Sequence, residues 1–167
     1  MRMTKLMVLT AVVSFAFDQI SKLYVVFWLD LINLQEIDVF APFLNFRMAW
    51  NYGVNFGLFS GQSEVQRTAL ILIALGISAG VAIWAIRQGR GRLTPVAAGL
   101  LIGGALGNAL DRLIYGAVAD FLNMSCCGIE NPFVFNVADV AIFLGAIGLM
   151  FAPHSQDPTI ADRDKNG

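Results

Sequence analysis

Long intervals with almost no charged residues constrain this chain more than any other feature. Four such intervals are present, over residues 6–29, 68–86, 93–110 and 131–152. Together they contain three charged residues, which are Asp18, Lys22 and Asp139. A helix rises about 1.5 Å per residue, so roughly 20 residues cross a hydrocarbon core of about 30 Å. The pattern predicts an all-α membrane protein with one domain of four transmembrane helices, over about 6–29, 68–86, 93–114 and 133–152.

Composition agrees with a protein whose solvent is lipid. Of 167 residues, 57% are hydrophobic and 14% are charged, and the formal net charge is −1. With the 16 glycines added, about two-thirds of the chain is apolar, against about 45 to 50% in soluble domains. These values exclude a nucleic-acid binder with a basic face, a disordered chain and a typical water-soluble enzyme.

The cations indicate the orientation of the predicted helices, because Lys and Arg near helix ends are retained on the cytoplasmic side. With a cytoplasmic N-terminus, seven of the eleven cations lie in cytoplasmic segments: Arg2, Lys5, Arg87, Arg90, Arg92, Arg163 and Lys165. Both termini are therefore predicted to be cytoplasmic, and residues 30–67 and 115–132 are predicted to be periplasmic.

The N-terminus permits a second interpretation. A basic start precedes an apolar run, and residues 14–16 (SFA) resemble the small-x-small site of a cleaved signal peptide. The apolar character resumes beyond Asp18 and continues to Leu29, so the whole stretch is long enough to span a membrane. A retained first helix is therefore the favoured interpretation.

The first periplasmic segment is the one sizeable region expected outside the lipid. It begins with a short amphipathic stretch, formed by Leu31, Leu34, Ile37, Val39 and Phe40. Alternating residues around 43–50 then predict one or two strands at the membrane surface. A small β and amphipathic-helix element is therefore expected between the first two membrane helices.

Glycines at intervals of four residues predict close contact between helices, because a missing side chain lets two backbones approach. Gly99, Gly103 and Gly107 follow this spacing in the third predicted helix, and Gly76 and Gly80 follow it in the second. All five are expected to pack the bundle together.

Polar residues within the predicted helices form two groups. Asp18 and Lys22 lie four residues apart, so they share one side of a helix and can neutralise one another. Asn108, Asp111 and Arg112 form a second polar face, with spacings of three and four residues. Either group can be a structural network or a substrate contact, and the sequence leaves both alternatives open.

Two acids lack a basic residue within one helical turn. Asp120 follows the third predicted helix closely, and Asp139 lies three residues after Asn136, near the start of the fourth. Two helices that end at one face can bring both carboxylates together, and such a pair shares one proton. An aspartic peptidase needs this arrangement: one carboxylate takes a proton from water, and the protonated partner binds the scissile carbonyl.

Other peptidase mechanisms lack their residues. The only histidine, His154, lies near the C-terminus, so neither a two-histidine zinc site nor a Ser-His pair is available. Ser21 and Lys22 point about 100° apart on a helix. Cys126 and Cys127 have no histidine as a base, and no metal site or cofactor is expected.

Five blocks of sequence together resemble bacterial lipoprotein signal peptidase, also called signal peptidase II. The blocks are residues 18–22 (DQISK), 51–57 (NYGVNFG), 103–112 (GGALGNALDR), 118–121 (VADF) and 135–139 (FNVAD). They occur in the order and with the spacing of that family, and they cover nearly the whole chain.

The resemblance implies an inner-membrane aspartic endopeptidase that removes the signal peptide from diacylglyceryl-modified prolipoproteins. Cleavage falls just before the lipidated cysteine. The resemblance implies that Asp120 and Asp139 are the catalytic pair. It also implies a supporting set for substrate binding and the active-site fold: Asp18, Asn51, Asn108, Asp111, Arg112 and Asn136. Lys22, Gly53 and Phe56, which lie in the same blocks, complete the predicted set of supporting residues.

Further expectations concern partners and one departure from the pattern. The family needs no metal, and the cyclic peptide globomycin inhibits its members by occupying the site. Lipid and prolipoproteins are the expected partners, nucleic acid is not, and the protein is expected to act as a monomer. Asn55 stands where the family more often has a small residue, so this loop departs from the family's pattern where it is expected to pack over the substrate.

Two other classes of protein keep acids in a helical bundle. An ion-coupled transporter places essential acids near the midplane and commonly has internal repeats. Only Asp18 lies that deep, and no repeat is evident. A non-catalytic membrane subunit or lipid-binding scaffold is the third alternative, and it would tolerate Asp-to-Asn changes at both candidate catalytic positions.

Overall fold

The computed structural model describes residues 2–41, 43–53, 64–88, 91–126 and 131–152. Its elements follow in the order α1 (Arg2–Lys22), α2 (Leu31–Leu34), β1 (Glu36–Phe40), β2 (Leu44–Asn51), α3 (Glu64–Gln88), α4 (Leu93–Tyr115), β3 (Val118–Asn123) and α5 (Val137–Met150). One π-helical turn, Leu23–Trp28, continues α1. The chain is therefore mostly helical, with one small sheet.

Three helices in the described part of the chain are long and apolar enough to cross a membrane: Met3–Trp28, Glu64–Gln88 and Leu93–Tyr115. The apolar helix α5 has 14 residues, about 21 Å at 1.5 Å per residue. It begins at Val137, later than the sequence pattern suggested, because extended Asn136 caps it and Phe135 pairs through its backbone with Leu122.

Helix α4 lies at the centre of the bundle and packs against α1, α3 and α5. A Cβ added at Gly99 would lie 2.6 Å from the carbonyl oxygen of Met7, and one at Gly103 would collide with the carbonyl oxygen of Ala11. Gly107 faces the carboxylate of Asp18 in the same way. The predicted packing role of these three glycines is confirmed.

The same prediction was wrong for the second helix. Apart from the adjacent backbone of α3 itself, no atom in the described part of the chain lies within 4 Å of a Cβ added at Gly76 or Gly80, so both glycines face open space. Helix α3 instead buries Ser78 and Ala85. A spacing of four shows that two glycines share a face, but it does not show which face meets another helix.

These two environments give the same substitution opposite effects. We expect Gly103→Ala to lower the free energy of unfolding by about 1–3 kcal/mol, because the new methyl group meets the backbone of α1. Gly80→Ala should raise it by about 0.5–1 kcal/mol, because alanine favours the helix and nothing obstructs it. Unfolding in mixed micelles titrated with SDS measures both. Equal effects would contradict the observed packing.

The sheet is antiparallel, in the order β1-β2-β3. Strand β2 lies where alternation predicted a strand, but the amphipathic stretch before it divides into the short helix α2 and the strand β1. Strand β3 was not predicted. It pairs with β2 so that Ala49 lies opposite Asp120, and it follows α4 through Gly116, whose φ of 80° ends that helix.

A hydrophobic cluster fixes the sheet to the π-helical turn that follows α1. Val26, Leu31 and Phe121 are almost completely buried in it, together with Val25 and Ala119. Because Ala119 and Phe121 flank Asp120, this cluster holds the strand that carries that acid.

Candidate active site

Asp120 is a buried acid, with 3% of its surface exposed. Its Oδ2 accepts a hydrogen bond from Asn51 Nδ2 at 3.0 Å, and its Oδ1 accepts one from Asn136 Nδ2 at 2.5 Å. Burial, and then the negative charge of Asp139, raise the pKa of Asp120 to about 6. The carboxyl therefore keeps its proton to a higher pH than an exposed aspartate does.

Asp139 lies in the first turn of α5 and is partly exposed. Its Oδ1 accepts a hydrogen bond from Asn108 Nδ2 at 2.9 Å, and its Oδ2 accepts one from the backbone N–H of Asn136 at 3.2 Å. In return, the backbone N–H of Asp139 donates to Asn136 Oδ1 at 2.9 Å. This reciprocal pair is a capping box, which orients the carboxylate as it starts the helix.

Asn136 joins the two acids. It is fully buried, and its side-chain Nδ2 donates to Asp120. Its side-chain Oδ1 accepts from the backbone N–H of Asp139, and its own backbone N–H donates to the Asp139 carboxylate. The same Nδ2 lies 3.2 Å from Asn108 Oδ1. The two acids without cations nearby in the sequence therefore meet at one asparagine.

Lys22 lies among buried carboxylates beside this pair. Its Nζ is 2.8 Å from Asp18 Oδ2, which confirms the predicted intrahelical pair, and 2.8 Å from Asp111 Oδ2. It also donates to Asn108 Oδ1 at 3.2 Å. Since Lys22 is 4% exposed, one buried cation is shared by two buried carboxylates.

Arg112 approaches the same region from α4. Its guanidinium donates to the carbonyl oxygen of Asn108 at 3.1 Å, and its buried Nε has no hydrogen-bond partner among the described residues. Asp120 and Asp139 both act on its charge, as does Asp111. The residues of the predicted polar face of α4 therefore have different partners. Asp111 bonds Lys22, whereas Arg112 interacts with the charges of Asp120 and Asp139.

Asn51 and Gly53 lie at the exposed end of β2. The backbone N–H of Gly53 donates to Asn51 Oδ1 at 2.9 Å, and this bond leaves Asn51 Nδ2 directed at Asp120. Gly53 has a φ of 107°, which favours glycine. Phe56 and Asn55 lie outside the described residues, as do Cys127 and His154.

Other candidate chemistries find little support in this geometry. Ser21 Oγ donates to the carbonyl oxygen of Asp18 on its own helix. The side chain of Cys126 is exposed. Among the described residues, no group of three histidines, cysteines or acids is placed to hold a metal ion.

Gln19 is a further residue of this site, which no sequence pattern above predicted. Its Nε2 donates to Asp18 Oδ2 at 3.1 Å and to Asp111 Oδ1 at 3.0 Å, which ties α1 to α4. A polar amide within an apolar interval was the available signal. The contacts of α1 fit a retained first helix, because Asp18, Gln19 and Lys22 all belong to this buried cluster.

Apolar helices around a buried cluster of acids and amides define this chain as a helical membrane protein with a polar site where the helices meet the sheet. A family profile described as "Signal peptidase (SPase) II" matches residues 10–153. The chain therefore belongs to the signal peptidase II family. It is a peptidase, and its family removes signal peptides from prolipoproteins, which argues against the transporter and scaffold alternatives.

Individual relatives agree with this family. The lipoprotein signal peptidase of Methylorubrum extorquens (strain PA1) is 42% identical over 154 residues, which cover 92% of this chain and 88% of the relative. That of Shewanella oneidensis (strain ATCC 700550 / JCM 31522 / CIP 106686 / LMG 19005 / NCIMB 14063 / MR-1) is 38% identical over 137 residues, 81% of this chain and 78% of the relative.

Two solved structures share the fold, and each is described as a bacterial membrane enzyme solved by the in meso method. One, at 2.3 Å resolution, is 26% identical with a TM-score of 0.70, over 96% of this chain and 91% of that structure. The other, at 1.9 Å resolution, is 29% identical with a TM-score of 0.71, over 86% of this chain and 89% of that structure.

Proposed function

We propose that this chain is an intramembrane aspartic endopeptidase that cleaves diacylglyceryl-modified prolipoproteins just before the lipidated cysteine. One observation supports this most directly: two carboxylates from different elements meet at Asn136, and one is buried whereas the other is partly exposed. In this proposal, Asp120 and Asp139 are the catalytic pair.

The environments of the two acids suggest separate roles. Asp139 is the more exposed of the two, so it is the acid that the attacking water reaches and that takes a proton from it. Asp120 holds the proton of the pair and donates a hydrogen bond to the scissile carbonyl. Hydroxide adds to the carbonyl carbon, and the proton on Asp139 then passes to the leaving amine as the C–N bond breaks.

The neighbouring residues fit binding roles around this pair. The Arg112 guanidinium has donors available for substrate carbonyl groups, since its Nε bonds no other group in the part of the chain that the structure describes. Asn51 and Gly53 would bind the substrate chain near the scissile bond, and Phe56 is proposed to share this role. Globomycin would occupy the same space, as the resemblance implies.

The proposal places the protein in the bacterial inner membrane, with four crossings and both termini in the cytoplasm. The distribution of cations supports this orientation. The pair then lies near the periplasmic face, where the scissile bond of a substrate anchored in the outer leaflet is presented. Helix α5 is the short fourth crossing.

Catalysis by a pair that shares one proton predicts a specific pH dependence. As pH rises through about 6, Asp120 ionises and the pair loses the proton that binds the carbonyl. We expect kcat/KM for a diacylglyceryl-modified prolipoprotein to fall about tenfold per pH unit above this value. Cleavage by the detergent-purified protein measures it, with the unmodified precursor as an uncleaved control.

A variant in the same region sharpens this measurement. The hydrogen bond from Asn51 favours ionised Asp120 and lowers its pKa, so Asn51→Ala should move the alkaline limb to higher pH. An unchanged limb, or a wild-type profile that is flat between about pH 5 and 8, would contradict the proton-sharing mechanism.

A further inference from the structure

Asp18 acts on the backbone from which one catalytic acid projects. Its Oδ1 accepts a hydrogen bond at 2.8 Å from the backbone N–H of Ala138, 120 positions away in the sequence. Ala138 immediately precedes Asp139 and is fully buried. Backbone N–H groups in the first turn of a helix have no partner within the helix, so a carboxylate of α1 fixes the first turn of α5.

Asp111 makes the equivalent contact at the other acid. Its Oδ2 accepts a hydrogen bond at 3.2 Å from the backbone N–H of Ala119. Ala119 immediately precedes Asp120 on β3 and is 2% exposed. Each buried carboxylate therefore holds the residue directly before one member of the candidate pair.

Two residues of α1 connect these contacts. Lys22 Nζ lies 2.8 Å from one oxygen of each carboxylate, and Gln19 Nε2 donates to both carboxylates, at 3.1 and 3.0 Å. Lys22 also bonds Asn108 Oδ1, so the Nδ2 of that amide is directed at Asp139. Through these bonds, the start of α5 and the strand β3 are both held against the same side of α1.

We propose that Asp18 and Asp111 are positioning residues that set the separation of the catalytic carboxylates, and that Lys22 and Gln19 couple them. This inference rests on the proposed function of Asp120 and Asp139. An ion pair that only stabilises the bundle does not require backbone contacts to the residues preceding both acids. Catalytic groups are sensitive to such placement, because a shift of about 1 Å can cost about 100-fold in rate.

Two substitutions at one position isolate the backbone contact. Asp18→Leu and Asp18→Asn remove the same charge, but only asparagine keeps an oxygen for the N–H of Ala138. Both leave Lys22 paired with Asp111, so no unpaired buried cation results. We expect kcat per folded molecule to be at least about tenfold lower in D18L than in D18N, and KM to differ by less than about threefold.

The pH profile separates positioning from stability. Among the described residues, the charges of Asp139, Lys22 and Arg112 act on Asp120. If loss of the contact lets the carboxylates move apart, the charge of Asp139 raises the pKa of Asp120 less. The alkaline limb of kcat/KM should then lie at lower pH in D18L than in D18N. A role in stability alone leaves both limbs together.

Further variants make each outcome decisive. The comparison of Asp111→Leu with Asp111→Asn repeats the test at the residue preceding Asp120. Gln19→Leu removes one of the two side chains that couple the carboxylates, at a half-buried site and without changing charge. Ser21→Ala removes only a bond within α1 and should keep full activity. The positioning role is overturned if kcat and the alkaline limb are equal within each folded pair of Leu and Asn variants. If the Leu variants do not fold, wild-type kcat and a wild-type alkaline limb in Q19L overturn it.

Parallel assays of Asp120→Asn and Asp139→Asn distinguish the two levels of the proposal. If these variants cleave the lipidated substrate, the proposed function fails. If they are inactive while D18L matches D18N, the catalytic pair stands and only the positioning role is lost.

Discussion

Replacing either Asp120 or Asp139 by asparagine is expected to lower kcat for a diacylglyceryl-modified prolipoprotein by about 10³- to 10⁴-fold. Each carboxylate moves or holds a proton in the proposed reaction, and general acid–base catalysis contributes about 10²- to 10⁴-fold per group. Asparagine has nearly the same shape but cannot take a proton from water. Rates of signal-peptide release in detergent, with substrate in excess, measure the loss.

The sheet itself provides a control for this substitution. Asp38 lies on β1 and is exposed, so Asp38→Asn makes the same chemical change away from the pair and should leave the rate unchanged. Asp120 and Asp139 accept hydrogen bonds from asparagine side chains, and an asparagine at either position keeps one acceptor oxygen. Both variants should therefore fold. Activity above about one-tenth of wild type in either one would rule out its general acid–base role.

The second large effect concerns stability. We expect Lys22→Met to lower the free energy of unfolding by about 3–5 kcal/mol, because it leaves the buried carboxylates of Asp18 and Asp111 without their shared cation. A charge that is neither paired nor solvated is costly inside a helical membrane protein. Unfolding in mixed micelles titrated with SDS measures the change.

Two comparisons identify the cause of that loss. Lys5→Met is the same substitution on an exposed position of α1 and should have little effect. Adding Asp18→Asn and Asp111→Asn to K22M removes the unpaired charges and should recover part of the lost stability. If K22M and K5M are equally stable, or the triple variant is no more stable than K22M, burial of unpaired charge is not the cause.

Local patterns predicted the parts of the fold that depend on local chemistry. The apolar intervals predicted the three long helices. In lipid, a helix makes all of its backbone hydrogen bonds within the segment, and apolar side chains need no partner there. Alternation predicted β2 for a similar reason, since one face of the strand is more buried than the other. Strand β3 remained hidden because its burial pattern is continuous, and its pairing with β2 depends on how α4 ends.

In the site, too, contacts between residues close in the sequence were predictable, whereas contacts between distant residues were not. The pair formed by Asp18 and Lys22 was predictable because residues four apart share one helix face. The bond from Gln19 to Asp111 crosses 92 positions, and no local spacing encodes it. Gly76 and Gly80 show the opposite error, because a correct local spacing did not determine which face of α3 would be covered.

The sequence alone determined that the chain is suited to a lipid environment and which few charged residues it contains. Through five ordered motifs, it also indicated the family. Those properties follow from composition and local spacing. Tertiary structure decided which charges meet: it placed Asp120 on a buried strand, joined it to Asp139 through Asn136, and gave Lys22 a second carboxylate. Such contacts depend on the packing of α1, β3 and α5 around α4, because helix periodicity relates only residues three or four positions apart.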